Sequence, residues 1–207
     1  MDPVSTVKGR IAPIPAQNID TDTVTPVRFL KMTVRDEKQL AGALFHDWRF
    51  NEDGTLKPDF PLNRPEHQGA KILLAGDNFG CGSSREKAPW AVLAYGFRAV
   101  VSTSIADIFR SNSLKNGLLP VIVDPSVHRE LFDLVAQDPS AEVAIDLASQ
   151  KISWHRGDDQ KTERSATFPI DSFSKKCLLK GVDQLGYLLG FADDIVAFEK
   201  TVEKRRG

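Results

Sequence analysis

A glycine-rich segment, residues 76–86 (GDNFGCGSSRE), contains the side chains best suited to chemistry. It follows an apolar run and precedes a helical pattern that begins at about Ser84. Backbone N–H groups at the start of a helix attract anions, and glycines let a ligand approach the backbone. The guanidinium of Arg85 can hold a carboxylate through two hydrogen bonds, and the same positive field would stabilise a deprotonated Ser83 hydroxyl. The segment therefore predicts a site for an anionic substrate.

Several other interpretations of this loop have to be weighed. A nucleotide-binding Walker loop needs lysine where Ser83 stands, and the dinucleotide fingerprint needs glycine where Arg85 stands. A stand-alone serine hydrolase has little support, because the loop contains no histidine to act as a base. A capping box formed by Ser83 and Glu86 is the structural alternative, and the loop alone favours capping and chemistry equally. An anion- or nucleotide-binding module with a capping Ser83 thus stays open.

A second polar segment, residues 18–26 (NIDTDTVTP), contains two carboxylates, Asp20 and Asp22. One hypothesis is that a carboxylate positions a substrate hydroxyl or a catalytic arginine. Considered in isolation, the more favoured interpretation is a network of Asx turns that satisfies local backbone donors. A calcium loop is not indicated, because the glycine and the distal glutamate of that pattern are absent.

Metal-ligating residues are few and scattered. The chain has two cysteines, Cys81 and Cys177, and four histidines, and none of them shows a metal-ligand spacing. Two cysteines are too few to bind a conventional iron–sulfur cluster without help. We therefore predict no metal site in this chain, and any cluster would need ligands from another chain.

The elements that position the glycine loop follow a regular alternation of apolar strands and amphipathic helices. Strands are predicted over 71–76, 98–102 and 118–123, and helices over 84–95, 105–116 and 126–137. Such alternation is typical of parallel strands joined by helical crossovers, and it places the loop at the carboxyl edge of the sheet.

The remaining segments predict additions to this core. They are a strand over 4–14, a helix over 36–45, a long exposed connection over 51–69, an antiparallel hairpin over 143–147 and 151–155, a helix over 172–179, helical structure over 181–200 with a break near Gly190, and a charged, frayed tail over 201–207. The sum is one α/β domain over residues 1–207, with a parallel core sheet and an antiparallel addition.

Composition excludes several function classes. The chain has 207 residues, 27% of them charged, with a formal net charge of −1. This balance provides no basic surface for nucleic acid or for an anionic membrane. No apolar stretch approaches the roughly 18 residues of a membrane span, and residues 1–10 lack the apolar core of a signal peptide, so we expect a cytoplasmic protein.

Five sequence blocks lie in order along nearly the whole chain, at residues 18–26, 45–50 (FHDWRF), 76–86, 104–120 (SIADIFRSNSLKNGLLP) and 177–183 (CLLKGVD). Together these blocks resemble the small-subunit family of 3-isopropylmalate dehydratase. Five blocks in register are far more specific than any one of them.

The resemblance implies the swivelling β/β/α three-layer domain of the aconitase superfamily. It also implies a large-subunit partner, in a heterodimer or heterotetramer, that holds a four-iron four-sulfur cluster. The implied reaction is dehydration of 2-isopropylmalate to 2-isopropylmaleate and rehydration to 3-isopropylmalate, in leucine biosynthesis.

The resemblance also implies roles for the residues of the glycine loop. Ser83 would be the general base that removes a proton from the substrate carbon. Arg85, with nearby backbone N–H groups, would stabilise the alkoxide form of this base and hold a carboxylate. Ser84 would help to bind the substrate.

Further residues follow from the same resemblance. Asp22 and Thr25 match an Asp-x-x-Ser/Thr pair that orients groups of the active site, and Arg28 lies where the family contacts the variable side chain of the substrate. Thr23 and Cys81 stand where aconitases proper tend to have histidine and glutamate, which favours the two-subunit isopropylmalate branch. A related branch that acts on methyl-substituted malate or maleate stays open.

Overall fold

The structure is a computed structural model that describes residues 1–31, 36–156 and 159–206. The strands in these residues are β1 Thr6–Ile14, β2 Ile72–Ala75, β3 Ala99–Ser102, β4 Leu119–Ile122, β5 Glu142–Asp146, β6 Lys151–Arg156 and β7 Asp159–Thr167. The α-helices are α1 Thr21–Val24, α2 Glu37–Ala43, α3 His46–Arg49, α4 Lys87–Tyr95, α5 Asp107–Asn116, α6 Pro125–Gln137, α7 Ser172–Lys180, α8 Gln184–Leu189 and α9 Ala192–Arg206. Short 3₁₀ helices lie at Val27–Lys31, Pro61–Asn63 and Pro65–His67.

The strands form one mixed sheet in the order β4-β3-β2-β1-β5-β6-β7. Strand β1 belongs to both halves of the sheet. Its second half pairs in parallel with β2, from Ile11 opposite Ile72 onward, and its first half pairs antiparallel with β5, with Val7 opposite Ile145. The predicted α/β class, with a parallel core and an antiparallel addition, is confirmed.

Two apolar cores follow from the alternation of side chains along the parallel strands. Ile72 of β2 packs in one core with Ile145 of the antiparallel half and with residues of α6 and α7. The next residue, Leu73, points the other way and packs with Val92 of α4 and Phe109 of α5. The parallel strands therefore have the antiparallel strands, α6 and α7 packed on one face, and α4 and α5 packed on the other.

Two differences from the sequence prediction matter most. Helix α4 begins at Lys87, three residues later than predicted, which changes the interpretation of the loop before it. The predicted hairpin of β5 and β6 is confirmed, but it continues into a third strand, β7, which was not predicted. The sequence of β7, DQKTERSAT, is charged and polar, so it lacks the apolar alternation by which strands are recognised.

The connection over 51–69 and the C-terminal region complete the chain. The connection is mostly exposed over 51–59, but Leu62 and His67, in its two 3₁₀ turns, are buried. The predicted break near Gly190 is present, between α8 and α9. Helix α9 continues through Arg206, and Gly207 of the predicted tail lies outside the described residues. None of the helices in the described residues is long and apolar enough to cross a membrane.

Candidate active site

The glycine loop after β2 lies beside the polar segment after β1. The N–H groups of Gly80 and Cys81 both donate to the carbonyl of Ile19, at 2.7 and 3.2 Å, and the N–H of Thr21 donates to the carbonyl of Cys81 at 2.9 Å. Asp20 and Cys81 form a parallel bridge. Two segments that the sequence predicted separately are thus joined into one structure at the carboxyl edge of the parallel strands.

Two glycines of the loop are needed because other backbone or side-chain atoms lie very close to them. A β-carbon on Gly76 would lie 2.2 Å from the carbonyl oxygen of Ala16. A β-carbon on Gly80 would lie 2.4 Å from Cγ of Phe109, and Gly80 also has a φ of +75°, which side-chain-bearing residues rarely adopt. These contacts set the path of the chain toward Ser83.

Hydrogen bonds to the residues that follow strand β3 hold the start of the same loop. The Asp77 carboxylate accepts hydrogen bonds from the hydroxyls of Thr103 and Ser104, each at 2.7 Å, and these bonds lower the pKa of Asp77. The Asn78 N–H donates to the Ser104 hydroxyl at 2.8 Å, and the Asn78 amide donates to Oδ1 of Asn18 at 2.8 Å. The ends of β1, β2 and β3 are therefore tied together at one edge.

The two carboxylates of the polar segment have different roles. Asp20 caps helix α1 and accepts a hydrogen bond from the Thr23 N–H at 2.6 Å, as the structural interpretation predicted. Asp22 forms an ion pair with Nη1 of Arg85. The side chain of Arg85 is 17% exposed and that of Asp22 is 49% exposed. The pair thus lies at the surface of the loop, with the arginine the more buried partner.

The structure contradicts the capping-box interpretation of Ser83. Residue Glu86, not Ser83, precedes the first turn of α4, and it makes no side-chain capping hydrogen bond. The N–H of Arg85 turns back to the carbonyl of Ser83 at 2.9 Å, a local bond that is not helical. Ser83 and Ser84 are consequently exposed side chains of a loop, available to a substrate.

Thr21 is a site residue that the sequence did not single out. Its hydroxyl donates to the carbonyl of Ser83 at 3.0 Å, across 62 positions of sequence. Thr21 is only 2% exposed. Nothing in the local pattern marks this residue, because the bond depends on the pairing of two distant loops.

Thr25 is completely buried at the end of α1, where its N–H donates to the carbonyl of Thr21 at 3.0 Å. Its hydroxyl has no hydrogen-bond partner among the described residues. Burial separates the Thr25 side chain from solvent, whereas the predicted residues Ser83, Ser84 and Asp22 are exposed.

Arg28 belongs to a different ion pair. Its guanidinium pairs with Asp47 and also lies 2.8 Å from Nδ1 of His46, both on or beside α3. The hydrogen bond that Arg28 donates to Asp47 holds the pKa of the Asp47 carboxyl below its usual range. The structure therefore brings Asp22, Ser83 and Arg85 together through contacts, and it places Arg28 on the neighbouring 3₁₀ helix with its own partners.

Possible metal ligands do not gather in the described residues, where no group of three or more histidine, cysteine, aspartate or glutamate side chains could hold an ion. Cys81 is partly exposed in the loop, whereas Cys177 is buried in α7, where burial raises the pKa of its thiol. This donor set does not fit a cysteine-bound cluster.

The fold and the loop pairing are those of an aconitase-type domain. The profile of the aconitase C-terminal domain family matches residues 1–126, which include both polar loops and all four parallel strands. Relatives named 3-isopropylmalate dehydratase small subunit are 56% identical in Chloroflexus aggregans and 54% identical in Roseiflexus castenholzii. Each match spans 199 residues, 96% of this chain and 94% of the relative.

A solved structure supports the same assignment. A crystal structure of 3-isopropylmalate dehydratase from Methanocaldococcus jannaschii superposes with a TM-score of 0.60 at 26% identity, and the match covers 98% of this chain and 99% of the other. The chain belongs to the family of 3-isopropylmalate dehydratase small subunits, which confirms the resemblance of the five sequence blocks.

Proposed function

We propose that the chain is the small subunit of a hydro-lyase that converts 2-isopropylmalate to 3-isopropylmalate through 2-isopropylmaleate, in leucine biosynthesis. The structural observation that supports this most directly is the pairing of Asp22 with Arg85 beside the exposed Ser83. The family membership supplies the reaction and the substrate, and the geometry supplies a cation and a hydroxyl in one loop.

Ser83 is the proposed general base. Its Oγ, as an alkoxide, accepts the proton of the substrate carbon that lies next to the hydroxyl-bearing carbon. The electron pair of the broken C–H bond forms the double bond of 2-isopropylmaleate as the hydroxyl group leaves. Water then adds in the opposite sense, so the isomerisation neither consumes nor releases water overall.

Arg85 is the proposed electrostatic partner of this base. A guanidinium has five N–H donors, and the contact with Asp22 uses only the side of Nη1. The remaining donors are proposed to bind a substrate carboxylate or to stabilise the negative charge of the Ser83 alkoxide before it accepts the proton. The Asp22 carboxylate, in turn, is proposed to hold one end of the guanidinium in place.

The other predicted residues receive roles according to their exposure. The exposed hydroxyl of Ser84 is suited to bind substrate, and Arg28 is proposed to contact the region that accepts the substrate side chain. Thr25 is buried, so we propose that it supports the turn that presents Asp22 rather than contacting substrate itself.

The partner is proposed to be a large subunit that holds a four-iron four-sulfur cluster, in a heterodimer or heterotetramer. Because the donor set of this chain does not fit such a cluster, the roles proposed for its residues are confined to proton transfer, binding and orientation. A cytoplasmic location stays a prediction from the sequence.

The test is reconstitution with the large subunit and assay with 2-isopropylmalate. We expect no turnover by the isolated chain, turnover after mixing, and a decrease in kcat of about 10²–10⁴-fold in the Ser83→Ala complex. Ser165→Ala is the matched control, because Ser165 is an exposed serine on the edge strand β7. Near-normal turnover of the Ser83→Ala complex would refute the assignment of the base.

A further inference from the structure

We propose that Thr21 is a positioning residue that holds the catalytic loop so that Ser83 can act, an inference that rests on the function proposed above. Thr21 touches the loop at two points. Its N–H donates to the carbonyl of Cys81 at 2.9 Å, and its hydroxyl donates to the carbonyl of Ser83 at 3.0 Å. It therefore spans Gly82 and fixes the backbone on both sides of it.

The hydroxyl of Thr21 is the last attachment of the loop before the proposed base. The parallel pairing of the two loops ends at Cys81. Beyond this point, among the described residues, the Thr21 hydroxyl makes the one hydrogen bond that joins Ser83 to a distant part of the chain. The other bond at the Ser83 carbonyl comes from Arg85, within the same turn. Ser83 itself is exposed.

Burial makes this bond effective. Thr21 is 2% exposed, so water does not compete for its hydroxyl as it would at the surface. Gly82, which lies between the two contacts, has a φ of +91°, and a β-carbon placed on it would come within 3.7 Å of Oγ1 of Thr21. The loop therefore crosses close over Thr21, in a conformation that favours glycine.

Thr21 and Asp22 act from one short, capped turn. The turn is α1, with Asp20 as its N-cap. Thr21 donates a hydrogen bond to the carbonyl of Ser83, and the next residue, Asp22, forms an ion pair with Arg85. A displacement of α1 would move the proposed base and its cation together, so the turn fixes their relative positions.

The experiment compares Thr21→Val with Thr21→Ser in the complex with the large subunit. Valine has the shape of threonine but donates no hydrogen bond, whereas serine keeps the donor. Since a displacement of about 1 Å in a reacting group can cost about 100-fold in rate, we expect Thr21→Val to lower kcat by about 10- to 100-fold, with a much smaller change in KM. Thr21→Ser should recover most of the loss.

A double variant tests whether Thr21 acts through Ser83. In the Ser83→Ala background, Thr21→Val should cause little further loss, because residues that act as one unit have non-additive effects. A wild-type kcat for Thr21→Val, or an equal loss in Thr21→Ser, would overturn the inference. Either result would leave the role of Ser83 intact if Ser83→Ala alone is impaired.

Two other outcomes are also decisive. Normal turnover of Ser83→Ala alone would remove Ser83 as the base and this inference with it, whereas no turnover by the wild-type complex would refute the proposed function. If Thr21→Val does not assemble with the large subunit, Thr21→Ala, which adds no bulk, provides the same comparison of kcat and KM. Failure of both variants to assemble would show that Thr21 supports the fold rather than the position of Ser83.

Discussion

We expect the ion pair of Asp22 and Arg85 to contribute little to stability and much to the proposed catalysis. Asp22 is about half exposed, and an exposed ion pair contributes about 0–1 kcal/mol to folding. The orientation of the guanidinium, however, decides whether its free donors face a substrate carboxylate. The value of this pair therefore lies in geometry more than in free energy of unfolding.

We accordingly predict that Asp22→Asn changes Tm by only a few degrees but lowers kcat/KM by about 10- to 100-fold, because the amide no longer fixes the arginine. Thermal unfolding of the variant and steady-state kinetics of its complex measure the two effects. Glu130→Gln is the control, since Glu130 forms an ion pair with Arg164 between α6 and β7, away from the glycine loop. Asp22→Asn with unchanged kcat/KM would contradict the orienting role.

At the level of residues, the sequence predicted the types of side chain at the site better than their partners. Glycine, serine and arginine in one short loop indicated an anion site without any structure, because each type has a specific chemical use. Which carboxylate faces Arg85 was not predictable from local pattern, since Asp20 and Asp22 are equivalent in sequence. The choice depends on α1, which points Asp20 at its own backbone and Asp22 at the loop.

Among the elements, the loop after β2 depends on a close approach to α5. Gly80 lies against the ring of Phe109, which also makes an edge-to-face contact with Phe79 at 5.1 Å between centroids. The loop can therefore pass over α5 only without a side chain at this position.

We predict that Gly80→Ala lowers the free energy of unfolding by about 1–3 kcal/mol more than Gly54→Ala. Both glycines have similar positive φ angles, +75° and +82°, so both substitutions strain the backbone, but a β-carbon on Gly54 meets nothing within 4 Å. Denaturant unfolding of the two variants isolates the cost of the clash with Phe109. Equal losses in the two variants would mean that the contact with α5 is relieved without cost.

The start of α4 illustrates why element boundaries were predicted less well than elements. The alternation of apolar runs gave the strands and helices from β2 to α6 in the right order, because burial imposes those patterns on the sequence itself. The pattern Ser-x-x-Glu also suggested a helix start at Ser84. Long-range bonds from Thr21 and Asp22 hold residues 83 and 85 outside the helix, and no local pattern encodes such bonds.

On the scale of the whole molecule, the shared strand β1 explains why the site lies where it does. Its first half pairs with the antiparallel strand β5, and its second half runs parallel to β2. Strands β1 and β2 therefore end at the same edge of the sheet. The polar loops that follow β1 and β2 then meet directly. The cores on the two faces of the parallel strands make this edge a rigid support for exposed site residues.

Such a support presents only part of a binding site, and this leads to a prediction about affinity. Ser83 and Ser84 are exposed, and the arginine beside them is already paired with Asp22. Hydrogen bonds and ion pairs that stay open to water contribute little net free energy. We therefore expect the isolated chain to bind 2-isopropylmalate with a Kd of about 1 mM or weaker, which corresponds to about −4 kcal/mol.

Isothermal titration calorimetry of the isolated chain and of the assembled Ser83→Ala complex, in which turnover is expected to be slow, would measure this difference. We expect substantially tighter binding by the complex, and a loss of much of that gain in a complex with Arg85→Lys, because lysine does not reproduce the planar fork of arginine. ATP, NAD and acetyl-CoA serve as comparison ligands for the isolated chain. Micromolar binding of any of these would favour an anion- or nucleotide-binding module, whereas micromolar binding of 2-isopropylmalate would show that this chain forms a complete site without its partner.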